Sequence, residues 1–233
     1  MIKHHPKFEL IQSFVNGELP ASLSAGIAVH AEMCPKCSQI ISQLTEQVAE
    51  TSFEINMLDN VISEDNRTSL KFNELSETEI NTESMIDLIT DSNDTFKVEP
   101  ELVKTITLNN KPYTLPNALK NMPLSKTLHM GKLSRARIQL NENEIHTSLL
   151  KIEPGGAVPQ HTHKGFELTL LLEGSFNDEN GEYVKGDFIM LDGTHTHNPV
   201  STEGCLCFTV ANDALHFTKG INKLLNPIGT FIY

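Results

Sequence analysis

The sequence lacks any apolar run of the roughly eighteen residues that a membrane-spanning helix needs. Its first twelve residues, MIKHHPKFELIQ, also lack the apolar core of a secretion signal. The chain of 233 residues contains no tryptophan and only four cysteines, and 30 acidic residues outnumber its 18 basic ones. We therefore expect a soluble, cytoplasmic protein with one large domain or two small ones.

Basic charge is scarcest in the first half of the chain. Residues 1–100 carry 17 acidic and 6 basic side chains, whereas residues 101–233 carry 13 and 12. An acidic first half would repel a phosphate backbone and attract a protein whose own surface is basic because it binds nucleic acid. Acidic residues that merely keep a loosely packed segment soluble would produce the same asymmetry. Charge alone leaves both interpretations open.

The periodicity of apolar residues divides the chain into two regions. From Phe8 to about Ile62 these residues recur at helical spacing, which predicts three or four short helices. Residues 63–82 are polar and are predicted to be a linker. A short amphipathic piece follows and predicts one more helix, with its apolar residues at Met85, Ile86, Leu88 and Ile89.

Beyond Pro100, short alternating or apolar runs separated by turn residues are typical of an all-β sandwich or barrel. The predicted strands are Thr105–Leu108, Ala136–Leu140, His146–Ile152, Leu168–Glu173, Glu182–Val184, Asp187–Leu191 and Leu206–Val210. The expected organisation is therefore multidomain, with a small all-α bundle in residues 1–93 and an all-β domain in residues 101–233.

The segment HAEMCPKC places His30, Cys34 and Cys37 at i, i+4 and i+7, which is one face of a helix. Some 25 positions upstream, His4 and His5 are both candidates for a fourth ligand. Two thiolates and two imidazoles form the tetrahedral set of a structural Zn²⁺ site, and such a metal would stabilise a region with a small core. A redox CxxC pair or two buried small hydrophobic residues are the alternatives.

A second group of candidate ligands lies in the β region. His161, His163 and Glu167 share strand parity, so all three side chains can face one cavity. His195 and His197 also share parity, and periodicity alone does not choose between them. Imidazole plus carboxylate suits Zn²⁺, Fe²⁺, Mn²⁺ or Cu²⁺ about equally. Surface histidines on a loop are the weaker alternative. The two histidines and the glutamate lie in an apolar strand, where their charge would be buried without a partner if no metal were bound.

These residues resemble the two cupin motifs. The first motif is matched in full by Gly155, His161, His163, Glu167 and Gly174. In the second, the spacing from Gly186 to His197 is similar, and the resemblance therefore selects His197 over His195 as the fourth ligand. Asp192 and Thr194 replace the usual Pro and Gly. The resemblance covers roughly residues 100–220 and implies a double-stranded β-helix, or jelly-roll barrel.

The first half is similar to the zinc-binding anti-sigma domain. Joined through a polar linker to a cupin, it resembles the ChrR family of anti-sigma factors over nearly the whole chain. This resemblance implies a structural zinc held by His5, His30, Cys34 and Cys37. It also implies a second divalent metal, Zn²⁺ or else Fe²⁺ or Mn²⁺, held by His161, His163, Glu167 and His197.

The function implied by this resemblance is regulatory rather than enzymatic. Such a protein sequesters an extracytoplasmic-function sigma factor in the cytoplasm and releases it on oxidative stress, with singlet oxygen as one signal. It binds neither nucleic acid nor membrane directly, and whether the free chain forms a homodimer stays open. Helix faces that include Phe8, Phe14 and Ile86 would contact the sigma factor, although an intramolecular core explains the first helix equally well.

Two other interpretations are distinguishable from this one. A mononuclear metal cupin dioxygenase would use an iron with open positions, and the zinc region would then be an accessory. A zinc-finger DNA binder is opposed by the net charge of −11 in residues 1–100. For the release signal, oxidation at the second metal or at Cys205 and Cys207 is expected, unless these cysteines are only buried small hydrophobic residues.

Overall fold

The computed structural model describes residues 1–63, 86–87, 89–91, 103–163, 165–212 and 216–217. The chain forms two compact units, one of residues 1–49 with 103–233 and one of residues 50–102. Apart from Ser63, the predicted linker lies outside the described residues, as do Met85 and Leu88. The predicted domain boundaries, 1–93 and 101–233, stay a prediction.

Three helices are described in the first half: α1 (Phe8–Val15), α2 (Ala21–Met33) and α3 (Pro35–Ser63). Pro20 stands at the N-cap of α2 and Pro35 is the first residue of α3, where proline costs no helical hydrogen bond. The prediction of three or four short helices is wrong in one respect, because α3 runs unbroken for 29 residues. No glycine or proline interrupts residues 36–63, so nothing local ends this helix earlier.

The described part of the second half is β-structure. Its strands are β1 (Thr105–Leu108), β2 (Lys111–Thr114), β3 (Leu128–Met130), β4 (Leu133–Ile138), β5 (His146–Ile152), β6 (Gly156–Ala157), β7 (His161–Thr162), β8 (Phe166–Asp178), β9 (Gly181–Val184), β10 (Phe188–Asp192), β11 (Thr196–His197), β12 (Val200–Ser201), β13 (Cys205–Ala211) and β14 (His216–Phe217). The main sheet is antiparallel and centres on β5, β13 and β8, and a smaller sheet has the order β11-β7-β14. The predicted fold class, a helical bundle followed by an all-β barrel, is confirmed.

All seven predicted strands are present; Thr105–Leu108 and His146–Ile152 have the predicted bounds, and the other five differ. β4 begins at Leu133, earlier than predicted, and β8 continues to Asp178, where it pairs with β9. The strand Leu128–Met130 was not predicted, because its three side chains are exposed and so show no alternation. The two-residue strands were not predicted either, because they are too short to give a periodic signal.

The helical region and the sheet share one hydrophobic core. Leu23, Ile27 and Val29 of α2 belong to the same buried cluster as Leu168 and Phe208 of the sheet. Gly26 permits this close approach, because a Cβ atom there would lie 2.7 Å from Leu168 Cδ2. Helix α2 therefore packs directly on the barrel. This contact fixes the position of its last turn on the barrel surface. No helix among the described residues is long and apolar enough to cross a membrane.

Two candidate metal centres

The first candidate centre, here called the His/Cys cluster, consists of His5, His30, Cys34 and Cys37. His5 precedes α1, His30 lies in the last turn of α2, Cys34 joins α2 to α3, and Cys37 lies in the first turn of α3. The four potential ligand atoms lie within 4.8 Å of one another. His5 Nδ1 is 3.4 Å from Cys34 Sγ and 3.5 Å from Cys37 Sγ. The structure thus brings together the four residues predicted from the sequence.

The donors of the His/Cys cluster fit a tetrahedral Zn²⁺. Zn–N and Zn–S bonds of ordinary length imply nitrogen–sulfur separations of roughly 3.5 Å, which is what His5 shows. His30 Nδ1 donates to the Gly186 carbonyl at 2.8 Å, and its buried Nε2 has no hydrogen-bond partner among the described residues. An orphaned imidazole nitrogen beside two thiols is the arrangement that a metal ion completes.

The electrostatics of the His/Cys cluster are governed mainly by burial. Burial, together with a hydrogen bond with Cys34, raises the pKa of the Cys37 thiol to about 11. Burial also lowers the pKa of His30, which keeps the imidazole neutral and able to bind a metal. A divalent cation would reverse the shift at Cys37, because it stabilises the thiolate directly.

Asp187 attaches the N-terminal segment to the barrel and so places His5. Its Oδ1 accepts hydrogen bonds from the backbone N–H groups of Lys3, at 2.6 Å, and His4, at 2.9 Å. Its Oδ2 accepts from the Val184 N–H at 2.9 Å. The Phe188 N–H then donates to the His4 carbonyl at 3.0 Å. Sequence reasoning missed Asp187, because nothing local distinguishes it from other acidic turn residues.

The second candidate centre, here called the His/Glu cluster, consists of His161, His163, Glu167 and His197. β11 pairs with β7 so that His197 stands opposite His161, and their Nε2 atoms are 2.9 Å apart. Glu167 Oε2 lies 2.9 Å from His163 Nε2 and 3.1 Å from His197 Nε2. All four side chains are buried. Three imidazole nitrogens and one carboxylate oxygen thus converge on one point, as predicted.

The charges in the His/Glu cluster suit a divalent cation. Burial lowers the pKa of His161 to about 4, and its Nδ1 donates to the Pro159 carbonyl, which turns Nε2 inward as an acceptor. Burial alone would raise the pKa of Glu167, but the charge and hydrogen bonds of His163 and His197 hold it well below its usual value. A buried carboxylate that faces three imidazoles is a donor set for Zn²⁺, Fe²⁺ or Mn²⁺.

The structure also separates the paired histidines that the sequence left open. His195 is exposed and its Nδ1 pairs with Asp192 Oδ1 at 2.8 Å, outside the His/Glu cluster. His4 lies outside the His/Cys cluster, with its ring 4.9 Å from that of Tyr183. The resemblance had selected His197 and His5, and these are the residues found in the clusters.

Among the described residues, a very small cavity adjoins the His/Glu cluster. A cavity of about 20 Å³ is lined by His161, Glu167 and His197 together with apolar and small side chains. A much larger cavity, of about 800 Å³, lies between residues 3–7, α1 and β10, and none of the four His/Glu residues lines it. The space at the His/Glu cluster suffices for about one water molecule.

These features define the class of protein. The antiparallel barrel with an inward-facing His₃Glu set is that of a cupin, and a helical region with a second, thiol-containing donor set packs on it. Residues 113–214 match the family described as the ChrR cupin-like domain. This match agrees with the resemblance noted in the sequence.

Two known proteins extend this finding. The Anti-sigma-E factor ChrR of Cereibacter sphaeroides is 37% identical over 100 residues, which cover 42% of this chain and 47% of that protein. The match thus spans about half the length of this relative. A chain in the crystal structure of Rhodobacter sphaeroides SigE in complex with the anti-sigma ChrR is 22% identical, with a TM-score of 0.57. That match covers 91% of this chain and 99% of the other, and it shows a common fold.

Proposed function

We propose that this chain is an anti-sigma factor that sequesters an extracytoplasmic-function sigma factor in the cytoplasm and releases it under oxidative stress, such as singlet oxygen. The observation that carries this proposal is the 37% identity, over 100 residues, to a protein named as an anti-sigma-E factor. A cupin fold alone would not suffice, because cupins host many unrelated activities. The helical region with its closed His/Cys cluster adds the part that would contact the partner.

The two clusters have different roles in this proposal. His5, His30, Cys34 and Cys37 would hold a structural Zn²⁺ that joins the N-terminal segment, α2 and α3. The His/Glu cluster would hold a second divalent metal, Zn²⁺ or else Fe²⁺ or Mn²⁺. When bound, that metal would supply a centre at which a reactive oxygen species can cause ligand exchange or a redox change. The chain's own imidazoles aim their Nε2 atoms inward and exclude bulk water.

Acidic charge and exposed apolar side chains would each contribute to binding of the sigma factor. Residues 51–100 carry 12 acidic and 3 basic side chains, which would steer a basic partner toward them. In α1, Ile11 is buried while Phe8 is 54% exposed, so this helix serves the core and still offers an apolar contact. Ile86 and Ile89 are also exposed. Neither direct nucleic-acid binding nor enzymatic activity is required.

The small space at the His/Glu cluster favours this role over a cupin dioxygenase. Sites for organic substrates have volumes of roughly 300–1,000 Å³. The cavity of about 20 Å³ beside Glu167 is far below this range. Iron-loaded protein should therefore consume no dioxygen in the presence of a diketone or thiol substrate, and measurable turnover would favour the enzyme.

A capture experiment tests the regulatory function. Immobilised wild-type chain, Cys37→Ser and the control His195→Ala are incubated with extract of the source organism, and bound chains are identified by mass spectrometry. We expect a sigma factor on the wild type and the control but not on Cys37→Ser, whose thiol is one of the four cluster donors. The captured sigma factor should then be inhibited by the wild-type chain in a run-off transcription assay.

The same capture assay separates binding from sensing. The His161→Ala variant should still bind the sigma factor, because this residue lies in the barrel rather than in the helices. It should release its partner poorly when a photosensitiser generates singlet oxygen. Normal release by this variant would contradict a sensory role of the His/Glu cluster, and absence of any sigma factor from the wild-type eluate would contradict the proposed function.

A further inference from the structure

A path of contacting residues leads from the His/Glu cluster to the His/Cys cluster, and its first side chains, from His197 to Tyr183, are buried. The Nε2 atom of this imidazole faces the His/Glu cluster, 3.1 Å from Glu167 Oε2. Its opposite nitrogen, Nδ1, lies 3.4 Å from Asp178 Oδ2. The side chains of His197 and Asp178 are 4% and 1% exposed. A carboxylate behind a metal-binding imidazole sets the tautomer of that ring and its orientation.

Asp178 is itself held in a fixed position. It lies at the end of β8, opposite Gly181 of β9. Its Oδ1 accepts a hydrogen bond from the Asn180 N–H at 2.7 Å. The Asp178 carboxylate also forms a hydrogen bond with the Tyr183 hydroxyl, and both this bond and the carboxylate charge raise the pKa of Tyr183. One carboxylate therefore contacts both the back of His197 and a buried tyrosine.

Tyr183 continues the path to the N-terminal segment. Its ring packs on that of His4, with the ring centres 4.9 Å apart. The next residue along the chain, His5, lies 3.4 Å from Cys34 Sγ in the His/Cys cluster. The backbone of His4 is held by Asp187 and Phe188, so displacement of the Tyr183 ring changes the environment of a constrained segment.

We propose that Asp178 positions His197 as a ligand of the cupin metal, and that Tyr183 couples this site energetically to the His/Cys cluster. The coupling is reciprocal: occupancy of one cluster changes the affinity of the other by the same factor. Because this inference rests on the proposed metal binding, its test begins with the metal content of the full chain.

The experiment uses Co²⁺ as the probe, because thiolate-to-cobalt charge transfer reports the His/Cys cluster separately from the barrel site, which has no sulfur ligand. Competition with a chromophoric chelator then gives the affinity of each site, with the other site filled or empty. In the wild type we expect filling of the barrel site to strengthen binding at the His/Cys cluster by roughly 5-fold or more.

Two variants and two matched controls test the path. Asp178→Asn should weaken metal binding in the barrel by roughly 10–100-fold. Tyr183→Phe should leave that affinity within about twofold and abolish the coupling, because it removes only the hydroxyl. Asp192→Asn alters a carboxylate beside His195, and Tyr113→Phe alters another buried tyrosine; both controls should behave as the wild type.

The outcomes separate failure of this inference from failure of the proposed function. Wild-type protein that takes up fewer than two metal ions overturns the proposed metal centres and the inference with them. Two bound ions with unchanged barrel affinity in Asp178→Asn overturn the positioning role alone. Coupling that persists in Tyr183→Phe overturns the link between the clusters.

A measurement on the unaltered chain decides the matter if Asp178→Asn does not fold. Nitrogen-15 NMR of the histidine rings in the metal-loaded wild type reports which ring nitrogen carries the proton. We expect His197 to be protonated at Nδ1, the atom beside Asp178, and bound through Nε2. A metal-bound Nδ1 would overturn the positioning role.

Discussion

Removing the Asp187 carboxylate should detach the N-terminal segment and with it His5. The side chain is fully buried and accepts three backbone hydrogen bonds, from Lys3, His4 and Val184. Hydrogen bonds to charged groups contribute roughly 1.5–3 kcal/mol each. The first two can be replaced by water once the segment leaves, so we expect Asp187→Ala to cost about 4 kcal/mol rather than the full sum.

Two assays measure this effect. In a chain of this size, a loss of about 4 kcal/mol lowers Tm by roughly 8–16 °C. Hydrogen exchange at the Lys3 and His4 amides should accelerate by up to about a thousandfold, since each 1.4 kcal/mol is a factor of ten. The His/Cys cluster should lose its metal faster to a chelator, because Asp187 holds the segment that carries His5.

A matched variant makes the result interpretable. Asp192→Ala removes a carboxylate that is 66% exposed at the barrel surface, so its Tm should stay close to that of the wild type. Asp187→Asn keeps one acceptor oxygen and should fall between the wild type and Asp187→Ala. A Tm for Asp187→Ala within about 2 °C of the wild type, with unchanged amide exchange at His4, would show that this carboxylate does not hold the N-terminal segment.

Three further predictions concern other parts of the molecule. Gly26→Val should destabilise the chain by roughly 1–3 kcal/mol in urea unfolding, because even a Cβ there meets a buried Leu168, whereas Ala28→Val should have little effect. Burial, with Asp178 beside it, raises the pKa of Tyr183 to about 12, above the ordinary value of about 10. The folded state therefore keeps this proton longer, and the free energy of unfolding should fall between pH 10 and 12, a slope that Tyr183→Phe removes. Replacing both Cys205 and Cys207 by Ser should leave stress-induced release undiminished, since these free cysteines are buried with their sulfurs 3.9 Å apart; impaired release would assign them to the sensor.

Much of the His/Cys cluster could be predicted from sequence because its spacing is local. His30, Cys34 and Cys37 lie within eight residues, and the end of α2 and start of α3 bring them together whatever the rest of the chain does. The choice between His4 and His5 could not be made this way. It depends on Asp187 and Phe188, which fix the segment from positions more than 180 residues away.

The long helix α3 shows a limit of a different kind. The sequence of α3 contains two groups of apolar residues with a more polar stretch between them. This pattern predicts separate helices. The backbone nevertheless continues to Ser63, because the intervening residues include no helix breaker. Periodicity reports which residues are buried, whereas the ends of a helix depend on capping and on breakers.

The types of donor, their spacing and the parity that turns His161, His163 and Glu167 to one side all follow from the order of residues along the chain, because these are properties of neighbouring residues. Strand parity did not distinguish His195 from His197, and the motif resemblance favoured His197. The tertiary structure supplies the physical reason, because the register of β11 against β7 sets His197 opposite His161. It also decided that Asp178 stands behind that ring. Such pairings depend on contacts between distant segments, and these become defined only when the sheet closes and the helices pack on it.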